Sequence, residues 1–135
     1  MAVLPTGYGK SLIYQLLPTL LYERNLYEHR RSVEVDLSKC SAVILVVSPL
    51  NSLVEDQIKK INGSTNLKAT FLRTDCGEFS TDFSDEIKHA LFDILFLHPE
   101  ACLLSKAGFN LFQSVPYQNL VEATVVDEAH CILEW

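Results

Sequence analysis

The sequence predicts an α/β fold, in which a parallel sheet carries helices on both faces. The chain has 135 residues, of which 48% are hydrophobic, so it is long and apolar enough for one domain with one core. Residues 42–48 and 94–97 form short continuous apolar runs, the pattern of strands buried on both faces, and residues 120–126 add a last strand. Stretches with helical spacing separate these runs, and this alternation predicts a parallel sheet.

The first predicted elements surround a turn rich in glycine and proline. Residues 1–4 indicate the end of a short strand, residues 5–9 the turn, and Lys10 to about Glu23 a helix. Pro18 lies inside that helix and is expected to kink it or to weaken one turn. Residues beyond the helix, up to position 41, are expected to form a polar surface connector. The apolar residues that recur at helical spacing are Leu12, Ile13, Leu16, Leu17, Leu20 and Leu21.

The rest of the chain alternates between helix and strand. Pro49 ends the strand at 42–48, and the pair Asn62-Gly63 is expected to stop the next helix. Ligands of parallel sheets bind beyond the carboxyl ends of the strands, so the residues that follow each strand are the candidates for function. The predicted elements are a helix at 50–61, a strand at 67–72, a loop at 74–80, a helix at 84–91, a strand at 94–97, a helix at 100–112 broken near Gly108, and a strand at 120–126.

The composition excludes some functions. The net charge of −6 argues against a protein whose whole surface binds polyanions, because nucleic-acid affinity comes largely from lysine and arginine. A local nucleic-acid groove stays open, and the charge does not argue against ATP. The apolar run at residues 42–47 is too short to span a bilayer, and residues 1–5 lack a signal-peptide pattern. We therefore expect a cytosolic or nuclear protein that does not bind membranes.

The four cysteines lie far apart in the sequence. They form no C-x-x-C pair, and no zinc spacing with the four histidines. We expect reduced and mostly packed thiols. The cysteines are Cys40, Cys76, Cys102 and Cys131, and the histidines are His29, His89, His98 and His130.

A turn with the sequence L-P-T-G-Y-G-K-S, which ends at Ser11, has the features of a phosphate-binding loop. Gly7 and Gly9 allow backbone amides to point at phosphate oxygens, and the helix that follows adds its positive N-terminal end. We expect Lys10 to contact the β- and γ-phosphates of ATP and Ser11 to complete the Mg²⁺ shell. The pattern G-x-x-x-x-G-K-[ST] fails at Leu4, so an ordinary glycine-rich turn is the alternative. The predicted ATP-binding residues are Pro5, Thr6, Gly7, Tyr8, Gly9, Lys10 and Ser11.

Two adjacent acids, Asp127 and Glu128, follow the last predicted strand. Unpaired acids at the end of a buried strand are costly unless a cation or a hydrogen-bond network compensates. With a phosphate loop upstream, we expect Asp127 to hold Mg²⁺, directly or through water. Glu128 is then expected to activate the water that attacks the γ-phosphate. A solvated strand end is the alternative for the segment D-E-A-H taken alone.

These motifs resemble those of the RecQ family of DNA helicases, in helicase superfamily two. Tyr14 and Gln15 after the loop, and Cys131 and Trp135 after the acids, distinguish RecQ-like proteins from RNA-directed helicases. The matching segments are P-T-G-Y-G-K-S-L-I-Y-Q at 5–15, V-V-S-P-L-N-S-L-V-E-D-Q at 46–57, I-L-F-L-H-P-E at 94–100 and D-E-A-H-C-I-L-E-W at 127–135.

The resemblance implies an incomplete RecA-like domain of the P-loop NTPase fold, with residues 1–135 as the N-terminal ATP-binding domain of a helicase, truncated at both ends. It implies ATP and Mg²⁺ as cofactors and single-stranded DNA or a tailed duplex as partner. ATP hydrolysis would drive 3′-to-5′ DNA unwinding in the full-length protein. The resemblance also implies a nuclear location and a role in DNA repair or recombination.

The resemblance further assigns residues to the contact with single-stranded DNA. One motif begins at Ser48 and closes at Gln57, and a second lies at residues 99–100. His130 would couple the ATP site to the DNA side and so join Lys10 and the two acids as a catalytic residue. The alternatives are a plain strand end for the first motif, a solvated Gln57 and a His130 that only caps or packs. The implied DNA-contacting residues are Ser48, Pro49, Leu50, Pro99, Glu100 and Trp135, the last of which is otherwise simply exposed.

The chain departs from the family at several points. His98 stands where a small hydroxyl residue is usual, and Ala101 where an arginine is usual, so one phosphate contact is affected. A second RecA-like domain with its arginine finger has no counterpart in the sequence, and such a finger contributes about 10³ or more in rate. We therefore expect the chain alone to be a poor helicase. The alternatives are a fragment that binds nucleotide and nucleic acid without helicase activity, or an incomplete gene product.

Overall fold

A computed structural model describes residues 9–30, 42–72, 91–104 and 106–129. Four strands form one parallel sheet in the order β2-β3-β1-β4. The strands are β1 (Val43–Val47), β2 (Ala69–Leu72), β3 (Ile94–Leu97) and β4 (Val121–Val126). The helices are α1 (Lys10–His29), α2 (Asn51–Ser64), α3 (Pro99–Leu103), α4 (Lys106–Gln113) and α5 (Val115–Leu120).

The register of the sheet aligns the carboxyl ends of its strands. Val47 at the end of β1 pairs with Leu97 of β3 on one side and with Val126 of β4 on the other. All strands run in the same direction, so the residues that follow them share one edge of the sheet. Those residues are Ser48 after β1, His98 after β3 and Asp127 after β4.

The two faces of the sheet carry separate apolar layers, because successive side chains of a strand point to opposite faces. One layer comprises Tyr14, Ile44, Val46, Val54, Ile61, Ala69, Ile94 and Phe96, which brings α1 and α2 onto that face. The other layer comprises Val43, Leu45, Leu72, Leu95, Leu97 and Tyr117, which brings α5 onto the opposite face. The predicted α/β fold with helices on both faces is thus confirmed.

The first helix is longer than its prediction. It extends past Glu23 to His29 and continues through Pro18, which lies buried inside it. Its last turns are held by local contacts. Asn25 is buried, its side chain accepts from Arg24, and its carbonyl oxygen lies 2.9 Å from Nδ1 of His29. The predicted connector therefore loses its first residues to the helix, and residues 31–41 lie outside the described part.

The buried face of α1 also differs from the predicted one. Four of the six predicted apolar positions are exposed, namely Leu12, Ile13, Leu16 and Leu20. The helix instead buries Tyr14, Pro18 and Asn25, with Leu17 and Leu21 packed against the core. Leucines on two faces of the helix satisfied the same spacing rule, and the pattern gave no means to choose between them.

Other element boundaries moved for identifiable reasons. The helix α2 passes the pair Asn62-Gly63 and ends at Ser64, because the Asn62 side chain binds the backbone of Ala69 instead of stopping the helix. The predicted helix at 100–112 is two helices: α3 ends at Leu103, and α4 runs from Lys106 through Gly108, where the break was expected. The helix α5 was not predicted. The strand predicted at 1–4 and the loop predicted at 74–80 lie outside the described residues, as does the helix predicted at 84–91 apart from Leu91, which is not helical.

Candidate functional site

The last glycine of the predicted phosphate loop lies at the start of α1. Gly9 immediately precedes α1 with a φ of 74°, a left-handed value that favours glycine. The first turn of α1 holds no acidic side chain, and a glycine cap offers no side-chain acceptor. The positive end of the helix therefore keeps its capacity for an anion at Lys10 and Ser11. Residues 5–8 of the loop lie outside the described residues.

The acidic segment lies in contact with Lys10, the first residue of α1. The Nζ atom of Lys10 lies 3.4 Å from Oε1 of Glu128, although 118 positions separate the two residues. Both side chains are largely buried, with 29% of Lys10 and 17% of Glu128 exposed. A cation and a carboxylate at this distance attract each other, so the structure brings one residue of each predicted motif together.

Hydrogen bonds in the turn after β4 fix the positions of Asp127 and Glu128. The amide of Asp127 donates to the carbonyl oxygen of Val47 at 2.9 Å, which continues the ladder between β1 and β4. The amide of Glu128 donates to Oδ1 of Asp127 at 3.0 Å. Glu128 has a φ of 50°, uncommon for a residue with a side chain and often found at functional sites. Asp127 is buried at 8% exposure, and His130 lies outside the described residues.

A buried hydrogen-bond network joins the first turns of α1 to α2. Tyr14 is 2% exposed, and its hydroxyl donates to Oε1 of Gln57. Gln57, itself buried, donates from Nε2 to the hydroxyl of Ser11 at 3.3 Å. Burial raises the pKa of Tyr14 to about 12, opposed by its hydrogen bonds with Ser11 and Gln57 and reinforced by the negative charge of Asp127. Ser11, Tyr14, Gln57 and Asp127 therefore share one polar environment.

The two segments assigned to DNA contact lie side by side at the same edge of the sheet. The amide of Ser48 donates to the carbonyl oxygen of Leu97 at 3.0 Å. Nε2 of His98 lies 3.1 Å from the carbonyl oxygen of Pro49, and Nδ1 accepts from the amide of Glu100. One neutral tautomer of His98 satisfies both contacts, so this ring joins the two segments where a small hydroxyl residue is usual.

The side chains of these segments differ in their access to solvent. Ser48 is 1% exposed, and within the described part of the chain its Oγ has no hydrogen-bond partner. Pro99 is buried, whereas Leu50 is 50% exposed and the Glu100 side chain 75%. The surface at this edge is therefore apolar and acidic at these positions, and the Ser48 hydroxyl does not reach it. Trp135 lies outside the described residues.

Sequence reasoning missed the roles of two residues. Gln57 was left open between a motif residue and a solvated one, and the structure buries it against Ser11 and Tyr14. His98 was noted only as a departure from the family, and it bridges Pro49 and Glu100. A buried tyrosine hydroxyl needs a partner, which was a usable signal for Gln57 once Tyr14 was placed in the core.

The described residues contain neither a cluster of metal-binding side chains nor a helix that could span a membrane. Within residues 9–30, 42–72, 91–104 and 106–129, no three histidine, cysteine or acidic side chains cluster as a metal site. In the same segments, none of the helices combines the length and apolarity that crossing a bilayer requires.

Comparison with known proteins places the chain in a family. It matches the DEAD/DEAH box helicase family over residues 1–135. The "Probable ATP-dependent DNA helicase RecS" of Bacillus subtilis is 35% identical over 100% of the chain, which covers 22% of that protein. The "ATP-dependent DNA helicase Q4" of Homo sapiens is 36% identical over 100% of the chain, which covers 10% of that protein. The "ATP-dependent DNA helicase RecQ" of Synechocystis is 33% identical over 100% of the chain and 24% of that protein. The chain therefore belongs to the DEAD/DEAH box helicase family, on its RecQ-like branch.

Proposed function

We propose that the chain binds ATP with Mg²⁺ at the carboxyl edge of its sheet and contributes to ATP hydrolysis. The observation that carries the proposal is the contact of Lys10 with Glu128 at 3.4 Å, which joins the loop motif to the acidic motif. The donor types fit the ligands: Ser11 and Asp127 offer the oxygen atoms that Mg²⁺ prefers, and Lys10 offers a cation for phosphate. When bound, Mg²⁺ neutralises charge on the phosphates.

The contact between Lys10 and Glu128 suggests how each residue acts in the proposed reaction. In the described geometry the Lys10 ammonium group is paired with a carboxylate. The triphosphate carries more negative charge and would replace Glu128 as the partner of Lys10. The released carboxylate of Glu128 could then accept a proton from the attacking water. Lys10 would stabilise the charge that develops on the γ-phosphate.

For DNA, we propose contact at the edge formed by the ends of β1 and β3. Support comes from the contact of His98 with Pro49, which places the two assigned segments together. Leu50 is the most accessible apolar group of the first segment and would meet a base or sugar. Because the Ser48 hydroxyl is buried, the first segment would meet phosphates through other groups. His130 and Trp135 keep their proposed roles in coupling and in stacking.

At the level of the whole protein, we propose that residues 1–135 serve as the ATP-binding domain of a 3′-to-5′ DNA helicase. Support comes from the names of the relatives, which are ATP-dependent DNA helicases. The chain spans between 10% and 24% of the length of these three relatives. Unwinding would require a second RecA-like domain as partner. Nuclear location and a role in DNA repair or recombination belong to the same proposal, and microscopy of a tagged protein tests the location.

Titration of a fluorescent ATP analogue in the presence of Mg²⁺ tests the proposal. Lys10→Ala should weaken binding at least tenfold, because it removes the cation from the phosphate site. Lys68→Ala is the matched control: Lys68 is exposed and precedes β2 at the opposite edge of the sheet, so its loss should leave affinity unchanged. Equal affinity of wild type and Lys10→Ala would refute the phosphate-loop assignment.

A further inference from the structure

The hydroxyl of Ser11 is hydrogen-bonded by Gln57, a side chain of the helix α2. The Nε2 atom of Gln57 in α2 donates to the Ser11 hydroxyl at 3.3 Å, and Oε1 of the same amide accepts from Tyr14. Gln57 is 8% exposed and Tyr14 2%. Both ends of the Gln57 amide are thus engaged in a place that excludes most water, where a lost partner is costly.

The anchor of this network is rigid. The ring of Tyr14 packs edge-on against Phe96 of β3, with centroids 5.9 Å apart and an interplanar angle of 84°. Phe96 is fully buried in the centre of the sheet. The tyrosine hydroxyl, fixed by this packing, sets the position of the Gln57 amide. The amide in turn restrains a serine hydroxyl that otherwise rotates freely about its side-chain bond.

A serine hydroxyl oxygen has two lone pairs. In the described geometry one of them accepts the Nε2 hydrogen of Gln57. The hydrogen bond between Ser11 and Tyr14 lowers the tyrosine pKa, which means that the serine hydroxyl donates in it, so the second lone pair is left for a cation. We propose that Gln57, held by Tyr14, is a positioning residue that orients the Ser11 oxygen toward the Mg²⁺ that accompanies ATP. The inference rests on the proposed function, in which Ser11 is a magnesium ligand, and it assigns Gln57 to the nucleotide site rather than to the DNA surface.

The test compares ATP affinity with Mg²⁺ and with EDTA, because a residue that acts through the metal ligand changes only the metal-dependent part. Gln57→Leu should reduce the Mg²⁺-dependent gain in affinity about tenfold, the usual size for loss of an outer partner of a metal ligand. Affinity in EDTA should stay within about twofold of wild type. The double variant Tyr14→Phe with Gln57→Leu should show at least this loss, because it also removes the hydrogen bond between Tyr14 and Ser11. It removes both buried polar groups, so it is expected to fold even where Gln57→Leu alone does not.

A thermodynamic cycle separates positioning from general damage. In the Ser11→Ala background, Gln57→Leu should cause no further loss of the Mg²⁺-dependent gain. Asn62→Ala is the matched control on α2, since it removes two hydrogen bonds to the Ala69 backbone away from Ser11 and should leave the Mg²⁺ dependence unchanged.

Two outcomes would overturn the inference alone: an unchanged Mg²⁺-dependent gain in both Gln57 variants, or an equal loss from Gln57→Leu with and without the Ser11 hydroxyl. Absence of any ATP binding by the wild-type chain would refute both the proposed function and the inference.

Discussion

Replacement of Glu128 by glutamine should tighten ATP binding while it abolishes hydrolysis. Without nucleotide, Oε1 of Glu128 lies 3.4 Å from Nζ of Lys10, so an arriving triphosphate would have to displace this carboxylate from Lys10. Glutamine keeps the shape of the side chain and removes its charge. The variant therefore loses the proton acceptor of the proposed reaction and, at the same time, the competitor for Lys10.

The size of the effect follows from the distance and the exposure. Two unit charges 3.4 Å apart attract by about 5 kcal/mol at an effective dielectric constant of about 20. The cost of desolvation and of side-chain ordering offsets most of this attraction, and solvent screens the partly exposed Lys10. A net attraction of about 1 kcal/mol between Lys10 and Glu128 therefore remains. Release of that competition corresponds to roughly fivefold tighter binding of ATP. Removal of the repulsion between Glu128 and the phosphates acts in the same direction.

The assay is a titration of an ATP analogue with Mg²⁺, together with a measurement of phosphate release. Glu122→Gln is the control, because Glu122 lies in β4, the strand that the two acids follow, and pairs with Arg24 at 2.7 Å outside the site. This control should leave ATP affinity unchanged. Weaker binding by Glu128→Gln, or hydrolysis at the wild-type rate, would refute the reasoning.

Three further predictions concern the core, the buried tyrosine and the activity of the chain. Phe96→Ala should destabilise the fold by about 3–5 kcal/mol in denaturant unfolding, because Phe96 is 0% exposed and supports Tyr14, whereas Phe109→Ala at a 57% exposed site should cost under about 0.5 kcal/mol. The pKa of Tyr14 is raised from 10.0 to about 12, so its contribution to stability should be complete below pH 10 and be lost as the pH rises toward 12, at up to about 1.4 kcal/mol per pH unit. Tyr14→Phe should remove that part of the alkaline slope, and an identical slope in both proteins would contradict the assignment. The 135-residue chain should not displace a strand from a 3′-tailed duplex with ATP and Mg²⁺, because unwinding requires two RecA-like domains that close on ATP; displacement that Lys10→Ala abolishes would contradict this.

The strands and their ends were predictable from the sequence, because a strand that is buried on both faces is marked by a continuous apolar run within its own residues. Residues 94–97 are continuous in apolar character, and the strand β3 has those bounds. Asp127 follows a strand in both the prediction and the structure. Parallel pairing then brings the ends of β1, β3 and β4 to one edge, so it could be inferred without knowledge of any side-chain contact that Ser48, His98 and Asp127 share that edge.

The helix faces and the polar contacts were not predictable in the same way. Leucines on two faces of α1 fit one spacing rule, and only packing against β3 and β1 decided for Tyr14 over Leu16. The predicted end of α2 was wrong because the Asn62 side chain accepts a hydrogen bond from the Ala69 amide. The local sequence Asn62-Gly63 gives no information about this contact. The burial of Gln57 depends on Ser11 and Tyr14, which lie far from it in the sequence.

The most direct test of the central claim locates the nucleotide on the chain. Amide chemical shifts of the ¹⁵N-labelled protein are followed by NMR during titration with a non-hydrolysable ATP analogue and Mg²⁺. The account predicts the largest shifts at Gly9, Lys10 and Ser11, with a second group at Asp127 and Glu128, and little change at Ala69 near the opposite edge. Shifts centred away from the start of α1, or saturable binding that leaves the amides of Lys10 and Glu128 unmoved, would contradict it.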